Sequence, residues 1–385
     1  MIAPIAFAAL LLLALLFFTG MGLLYLLFTG LIHFIPLALS AVILLYVWIV
    51  MMIFHFFNTK QRKRSFSIIA GVVIIGAAVW PIMHMYEESI STVNAEVEVR
   101  YYEPFTIGQE SKLAVLDEAA TLELTDELPK IDGATALYPL YAAFVQAVYP
   151  RKEYNPYDSE VMVNTTPVAY ENLFSGKVDM IFAAAPSDAQ MKVAEKQGLE
   201  LNLTPVGREA FVFFVNQKNP VDHLELKQIQ DIYAGKITNW KEVGGKNESI
   251  RAFQRPADSG SQTGLERLMG DTPIMEAPKE NVAEGMGGII SEVSKYRNYT
   301  NAIGYTFRYY STEMVGNEEI KLLAIDGVEP TKETIRSDEY PIASEFYVIT
   351  AGTENPNVEK FIEWITSPQG QELVEIVGYV PVKKP

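Results

Sequence analysis

The pattern of apolar and polar positions divides the chain near residue 86. Before it, three apolar runs follow one another, at residues 2–28, about 31–57 and 66–86. At 1.5 Å per helical residue, each is long enough to cross a bilayer. None contains Asp, Glu, Lys or Arg. A transport pathway through the membrane needs such groups, so the runs read as an anchor rather than a channel or pump. A cleaved signal peptide is the competing reading for the first run. That run has no basic n-region, and two more spans follow it. Between the second and third runs lie Lys60, Arg62, Lys63 and Arg64. Basic loops stay cytoplasmic. The N-terminus is therefore expected inside, and everything after the third run outside.

Beyond residue 86 the pattern changes. Residues 87–128 are charged and read as a connector that packs on the main body, with "AEVEVRYY" a strand. From residue 129 short apolar strands alternate with amphipathic helices. "PKIDGAT", "EVMVNTT", "VDMIFAAA", "LNLTPVGREAFVFFVNQ", "SIRAFQR", "NAIGYTF" and "SEFYVIT" read as strands. "ALYPLYAAFVQAVYP", "PVAYENLFSGK", "SDAQMKVAEKQG", "SGSQTGLERLMG" and "GGIISEVSKYRN" read as helices, "HLELKQIQDIYAGKITNW" reads as a helix ending in Gly235 followed by a loop, and a helix pair closes the chain. Thr166 is a cap with Pro167 at the first helical position, and Ser187 and Gly198 bracket a helix. This alternation predicts an α/β fold with mixed, mostly parallel sheets flanked by helices. Two similar lobes fit the order, with "FVFFVNQ" and "SEFYVIT" as the crossings between them.

Composition then removes whole classes of chemistry. There are no cysteines, which excludes disulfides, thiolate zinc sites, cysteine nucleophiles and a lipidated N-terminal cysteine. Of four histidines, His33, His55 and His84 lie in or beside the apolar region, and only His223 falls in the rest. Histidine catalysis or a multi-histidine metal site is not expected there, and no cofactor is implied. A net charge of −16 argues against nucleic acid as a partner.

Three loop-to-helix junctions share one character. They are "DGATALYP" with Thr135, "NTTPVAY" with Thr165 and Thr166, and "RPADSGSQT" with Ser259, Gly260 and Ser261. At a helix start, free backbone N–H groups and the helix dipole favour an anion, and a hydroxyl adds a donor. Arg255, four residues before Ser259, offers a bidentate pair. Each feature alone is ordinary: Ser and Thr cap most helices, and arginines form surface ion pairs.

The stretches "DGATALYPLY", "YENLFSGKVDMIFAAAPS", "NPVDHLELKQIQDIYAGKITNWKEVGG" and "RPADSGSQT" resemble the phosphate-binding protein of phosphate ABC transporters. The resemblance covers about residues 129–385 and omits the three apolar runs. It implies a two-lobed type II periplasmic-binding-protein fold with ligand held between the lobes. Carried over position by position, the first phosphate loop falls on Ala134, Thr135 and Ala136, and the second near Thr165 or Thr166. The arginine falls on Arg255 and the Ser-Gly-Thr on Ser259, Gly260 and Ser261. One position departs: where the family carries an aspartate that accepts the proton of phosphate, this chain has Ala184. Asp132, Asp188 or Asp258 are candidates to replace it, each equally a turn or cap residue.

The apolar runs and the resemblance together imply a membrane-tethered, extracytoplasmic binding protein, not an enzyme, for inorganic phosphate or a related oxyanion. The resemblance implies an ABC transporter permease as partner, or a sensing role, and the apolar runs the bilayer as support. The expected divisions are an anchor at 1–86, a connector at 87–128 and a binding domain at 129–385. Within the last, lobe 1 takes about 129–210 and 350–385 and lobe 2 about 211–349. The alternatives are an organic ligand stacked on clusters such as "YPLYAAF", "YRNYT" and "FRYY", a degenerate interaction module, or a serine hydrolase using Ser259 or Ser261. The last lacks an activating base.

Overall fold

The computed structural model describes residues 2–90, 99–105, 111–277, 298–315 and 318–382. It contains two compact units, Met1–Ser91 and Thr92–Pro385.

The first unit is three helices, α1 (Ile2–Phe28), α2 (Ile35–Ile53) and α3 (Lys60–Ser89). All three are long and apolar enough to cross a membrane. Their large side chains point outward: Leu13, Phe17, Phe18 and Ile75 are all exposed. Water would penalise such a surface, whereas hydrocarbon matches it. The basic stretch expected as a loop is instead the first turn of α3. Thr59 caps it by accepting from the Arg62 N–H at 3.3 Å, and Lys and Arg are good helix formers. His33, in the turn before α2, stacks on His84 of α3 with ring centroids 4.0 Å apart.

Of the strand predicted at 95–102, residues 95–98 lie outside the described residues, and Val99–Tyr102 is a 3-10 helix. Apolar–polar alternation over so short a piece fits either form. Tyr102, Leu113 and Leu124 of this lead-in join the core that holds Tyr138 and Phe144. The elements that follow in chain order are β1 (Ile131–Gly133), α4 (Tyr138–Val148), α5 (Thr166–Phe174), β2 (Met180–Ala183) and α6 (Asp188–Gln197). Then come β3 (Asn202–Asn216), β4 (His223–Leu224), α7 (Leu226–Tyr233), β5 (Arg251–Ala252) and α8 (Gly260–Met269). The chain ends with β6 (Ala302–Phe307), β7 (Ile320–Leu322), β8 (Ala324–Ile325), α9 (Lys332–Arg336), β9 (Ala343–Thr350), α10 (Val358–Ile365), α11 (Pro368–Val377) and β10 (Val380–Pro381).

Caps explain several boundaries. Ser187 and Gln190 form a capping box at the start of α6, and Gly198 ends it at φ +68°. On α5 the N-cap is Thr165, one residue earlier than expected, so Thr166 is itself helical. The predicted strand "EVMVNTT" is reduced to two isolated bridges, Val161 to Ile131 and Asn164 to Ala134. The helix expected at "GGIISEVSKYRN" lies, but for Asn298, outside the described residues.

The sheet runs in the order β1-β2-β9-β3-β6-β5. It is mixed, with a smaller parallel share than predicted. β1 pairs with β2, and β5 with β6, in parallel. The long central strands β3 and β9 run antiparallel to each other and to their other neighbours. Local alternation of strand and helix cannot register that β9, late in the chain, inserts between β2 and β3. Two main cores follow. One gathers Tyr138, Tyr141, Phe144, Phe182, Phe361 and Trp364, and the other Phe213, Tyr233, Trp240, Leu265, Ile303 and Tyr305. A smaller cluster around Tyr170 and Ile181 packs α5 on the sheet.

Gly133 ends β1 just before the first junction. A Cβ there would stand 2.7 Å from the Phe182 carbonyl oxygen and 2.8 Å from a ring carbon of Tyr141. Gly133→Ala is expected to destabilise this unit by about 2 kcal/mol through overpacking. A urea titration of the detergent-solubilised chain, followed by tryptophan fluorescence, measures it.

Candidate functional site

Three helix starts meet at one partly open cavity. Its lining includes Ala134 and Ala136 before α4, Thr166 on α5, Gly260 at the first position of α8, and Ala184 after β2. Thr166 and Gly260 are close neighbours: a Cβ built on Gly260 would lie 3.2 Å from Thr166 Oγ1 and 3.8 Å from Ala184 Cβ. Each helix leaves its first N–H groups ahead of its first backbone bond. That bond runs from Leu137 N to Ala134 O, from Ala169 N to Thr165 O, and from Thr263 N to Ser259 O. Thr135 and Ala136, Thr166 and Val168, and Gly260 and Ser261 therefore hold the orphan donors. A glycine at 260 keeps this approach open.

The other predicted site residues fall differently. Thr135 is buried and donates its hydroxyl to the Asn164 carbonyl at 3.2 Å, away from the cavity. Thr165 is the N-cap of α5 but accepts no side-chain hydrogen bond there. Ser259 caps α8, its Oγ accepting from Gln262 N at 3.2 Å. Neither Thr165, Ser259 nor Ser261 lines the cavity. Arg255 is also absent from the lining, though Tyr310, which lines it, acts on Arg255 electrostatically. The backbone N–H of Arg255 is held by Tyr305 Oη at 3.0 Å and Gln262 Oε1 at 3.1 Å. Its Nε is shut off from solvent and has no hydrogen-bond partner among the described residues. Burial pulls its pKa down while Tyr310 and Tyr305 push it up. A guanidinium stays charged under such a shift.

None of the three aspartates considered as replacements lines the cavity. Asp132 is fully buried and accepts from Asn172 Nδ2 at 2.7 Å, Gly133 N at 2.8 Å and Asn164 Nδ2 at 2.9 Å. Burial raises its pKa against those three bonds. Asp188 is exposed in the first turn of α6. Asp258, at φ +61°, accepts the Ser187 hydroxyl at 2.6 Å. With the bond from Arg267 Nη2 to the Pro186 carbonyl at 2.9 Å, this links α8 to the start of α6.

The carboxylates that do line the cavity are Glu209 and Glu345. Glu345 is exposed, and its Oε2 accepts from Tyr347 Oη at 3.1 Å. Glu209 is 4% exposed. It accepts from Ala210 N at 2.9 Å and Tyr309 N at 3.2 Å, and Arg308 Nε stands 3.4 Å from Oε1. Burial pushes Glu209 up to about 7 despite Arg308 and the two N–H donors. The sequence carried one signal for it: a glutamate directly before the apolar run "AFVFFV" of β3. Its partners lie a hundred residues on, where no local pattern reaches. The cavity wall is completed by Phe307, Tyr309, Tyr310, Phe346 and Tyr379. "FRYY" thus serves the cavity, whereas Tyr138, Tyr141 and Phe144 of "YPLYAAF" are core. Tyr379 stacks on Tyr309 at 4.2 Å and donates its hydroxyl to the Ala136 carbonyl, bracing the first helix start.

The chain matches the PBP superfamily domain over residues 119–369. It is 26% identical over 278 residues to the phosphate-binding protein PstS of Bacillus subtilis, covering 71% of this chain and 87% of that protein. A protein of the same name from Borreliella burgdorferi is 25% identical over 264 residues, covering 67% and 91%. Among solved structures, an ABC-type phosphate transport receptor from Vibrio cholerae is similar at 20% identity and a TM-score of 0.47, over 67% of this chain and 99% of that one.

The Ser187–Asp258 bond is charge-assisted. Asp258→Asn keeps the acceptor and the tolerance of positive φ but removes the charge. It is expected to cost about 1 kcal/mol in urea unfolding, the difference between charged and neutral hydrogen bonds.

Proposed function

The chain belongs to the PBP superfamily, and from that premise we propose that it is a membrane-tethered binding protein for phosphate or a closely similar oxyanion. The observation that carries this reading is the meeting of three helix starts at one cavity, with Thr166 Oγ1 and Gly260 side by side. Orphan N–H groups from three directions suit the four oxygens of a tetrahedral anion, and helix dipoles add charge there. Its relatives are named as phosphate-binding proteins, which supports the same ligand.

In this reading Thr166 donates its hydroxyl to the ligand. Ala134, Thr135, Ala136, Gly260 and Ser261 present backbone N–H groups or frame them, and Thr165 and Ser259 set the starts of α5 and α8. Arg255 offsets the ligand's charge. The chain binds and does not turn over its ligand. The Ser259 hydroxyl is used as a cap, and His223 pairs with Asp222 at 2.8 Å on an exposed turn. The three apolar helices span the cell membrane as a multi-pass anchor, and the binding unit lies outside the cytoplasm. A permease of the ABC class, or a sensing partner, receives the ligand.

Calorimetric titration of the full-length chain in detergent, stripped of bound ligand, tests the binding reading. Phosphate is expected to bind one site, and Arg255→Ala to weaken it by about 100-fold, the worth of a buried charge-assisted contact. No heat with phosphate would sink the reading.

The topology is tested separately, and the absence of cysteines makes this direct. Single cysteines replacing Gln61 and Lys246 are introduced in turn. An impermeant maleimide added to intact cells is expected to label the second and not the first. The opposite labelling would reverse the proposed orientation.

A further inference from the structure

We propose that Asp132 is a positioning residue of the anion site: its carboxylate fixes the first helix start against the second. This rests on the reading of the cavity as an oxyanion site and deepens it. Asp132 does not itself meet the ligand, since it lies outside the cavity lining.

The carboxylate is fully buried, and each group bonded to it is an N–H donor. Its Oδ1 accepts from Gly133 N at 2.8 Å, and its Oδ2 from Asn164 Nδ2 at 2.9 Å and Asn172 Nδ2 at 2.7 Å. These donors come from the segments that build the site. Gly133 ends β1 and leads directly into Ala134 and Ala136, which line the cavity. Asn164 stands immediately before Thr165, the N-cap of α5, and Thr166, which also lines the cavity. Asn172 lies further along α5.

Two more bonds complete the clamp. Asn164 N donates to the Gly133 carbonyl at 3.1 Å, and the Asn164 carbonyl accepts the Thr135 hydroxyl at 3.2 Å. The first and second starts are thus tied through Asp132 and Asn164. The second meets the third where Thr166 stands beside Gly260. A tetrahedral anion needs donors from several starts to converge on it together. Hydrogen bonds weaken steeply with misalignment, so a shift of one start against another loses contacts that each start alone would keep.

The chemistry of the position calls for a carboxylate. It has about four lone-pair positions and no hydrogen. An amide in its place has a single oxygen and brings N–H groups that would face other donors. One of the bonded N–H groups then loses its acceptor. A buried donor without an acceptor is costly, and its segment moves to find one.

The test is the phosphate dissociation constant of the full-length chain in detergent, measured by calorimetry beside the urea midpoint of each variant. Asp132→Asn is expected to remain folded and to bind phosphate about 10-fold more weakly. Asn172→Ala removes one donor, leaves the carboxylate bonded to the others, and is expected to lose about 3-fold. Combining Asp132→Asn with Asn172→Asp returns one carboxylate to the cluster from the α5 side. Binding is then expected to recover to within about 3-fold of wild type. Tyr149→Phe is the control. It removes a buried bond in the same core, from Tyr149 Oη to the Pro129 carbonyl at 2.9 Å, without touching the clamp. It is expected to lower the urea midpoint and leave phosphate affinity unchanged. Unchanged affinity in Asp132→Asn, an equal loss in Tyr149→Phe, or no recovery in the double variant overturns the proposal and leaves the oxyanion reading standing. Failure of the wild type to bind phosphate overturns both. Should Asp132→Asn not fold, Asn172→Ala against Tyr149→Phe decides: a loss in the first alone supports the clamp, and any other result overturns it.

Discussion

The second unit depends on one long strand that joins the two halves of its sheet. β3 has fifteen residues, about 50 Å at strand rise, more than a single lobe needs. From Asn202 to Ala210 it pairs with β9, and from Phe211 to Val215 with β6. Buried backbone groups must all find partners, so the change of partner at Ala210 and Phe211 is a place where donors come loose. Glu209 meets that need: its oxygens take the N–H of Ala210 and the N–H of Tyr309, where the chain leaves β6. The carboxylate that lines the cavity is thus also the group that keeps the crossing satisfied. A second adjustment lies upstream, where the register slips between Pro205 and Gly207. The lack of a side chain at Gly207 admits the Phe346 ring, whose nearest atom would meet a Cβ at 2.4 Å.

A chain of net charge −16 is an unusual host for an anion only if charge is averaged over the molecule. Surface charges beyond about 8 Å are largely screened at physiological ionic strength. A buried anion responds to its nearest neighbours, and the helix starts at the cavity offer backbone donors and helix dipoles. Such groups carry no net charge and need no reorganisation on binding. Arg255 fits the same logic, since its Nε is closed off from solvent and left without a partner among the described residues. Phe307, Tyr309, Phe346 and Tyr379 make much of the remaining wall aromatic.

Local features were legible in the sequence where the physics is local. Ser187 and Gly198 marked the ends of α6 because a cap and a left-handed stop act within one turn. The three apolar helices were visible from length alone. Thr166 and Gly260 were singled out as helix starts, and the structure places them side by side. Thr135 was equally plausible by that rule, yet its hydroxyl turns to Asn164, a choice set by a bridge between distant segments. Glu209 was passed over for the same reason in reverse, since Arg308 and Tyr309 define its role. The insertion of β9 between β2 and β3 was likewise invisible to a pattern read along the chain.

The two main cores are tied in two places. β3 contributes Val206 to one and Phe213 to the other. Away from the strands, Ser187 at the start of α6 bonds Asp258, and Arg267 of α8 bonds the Pro186 carbonyl. A strand shared by two cores holds them through its backbone ladder, whereas side-chain bonds of about 1 kcal/mol each are individually weak. The shared strand therefore does most to fix the relation between the cores, and the side-chain pair adds to it.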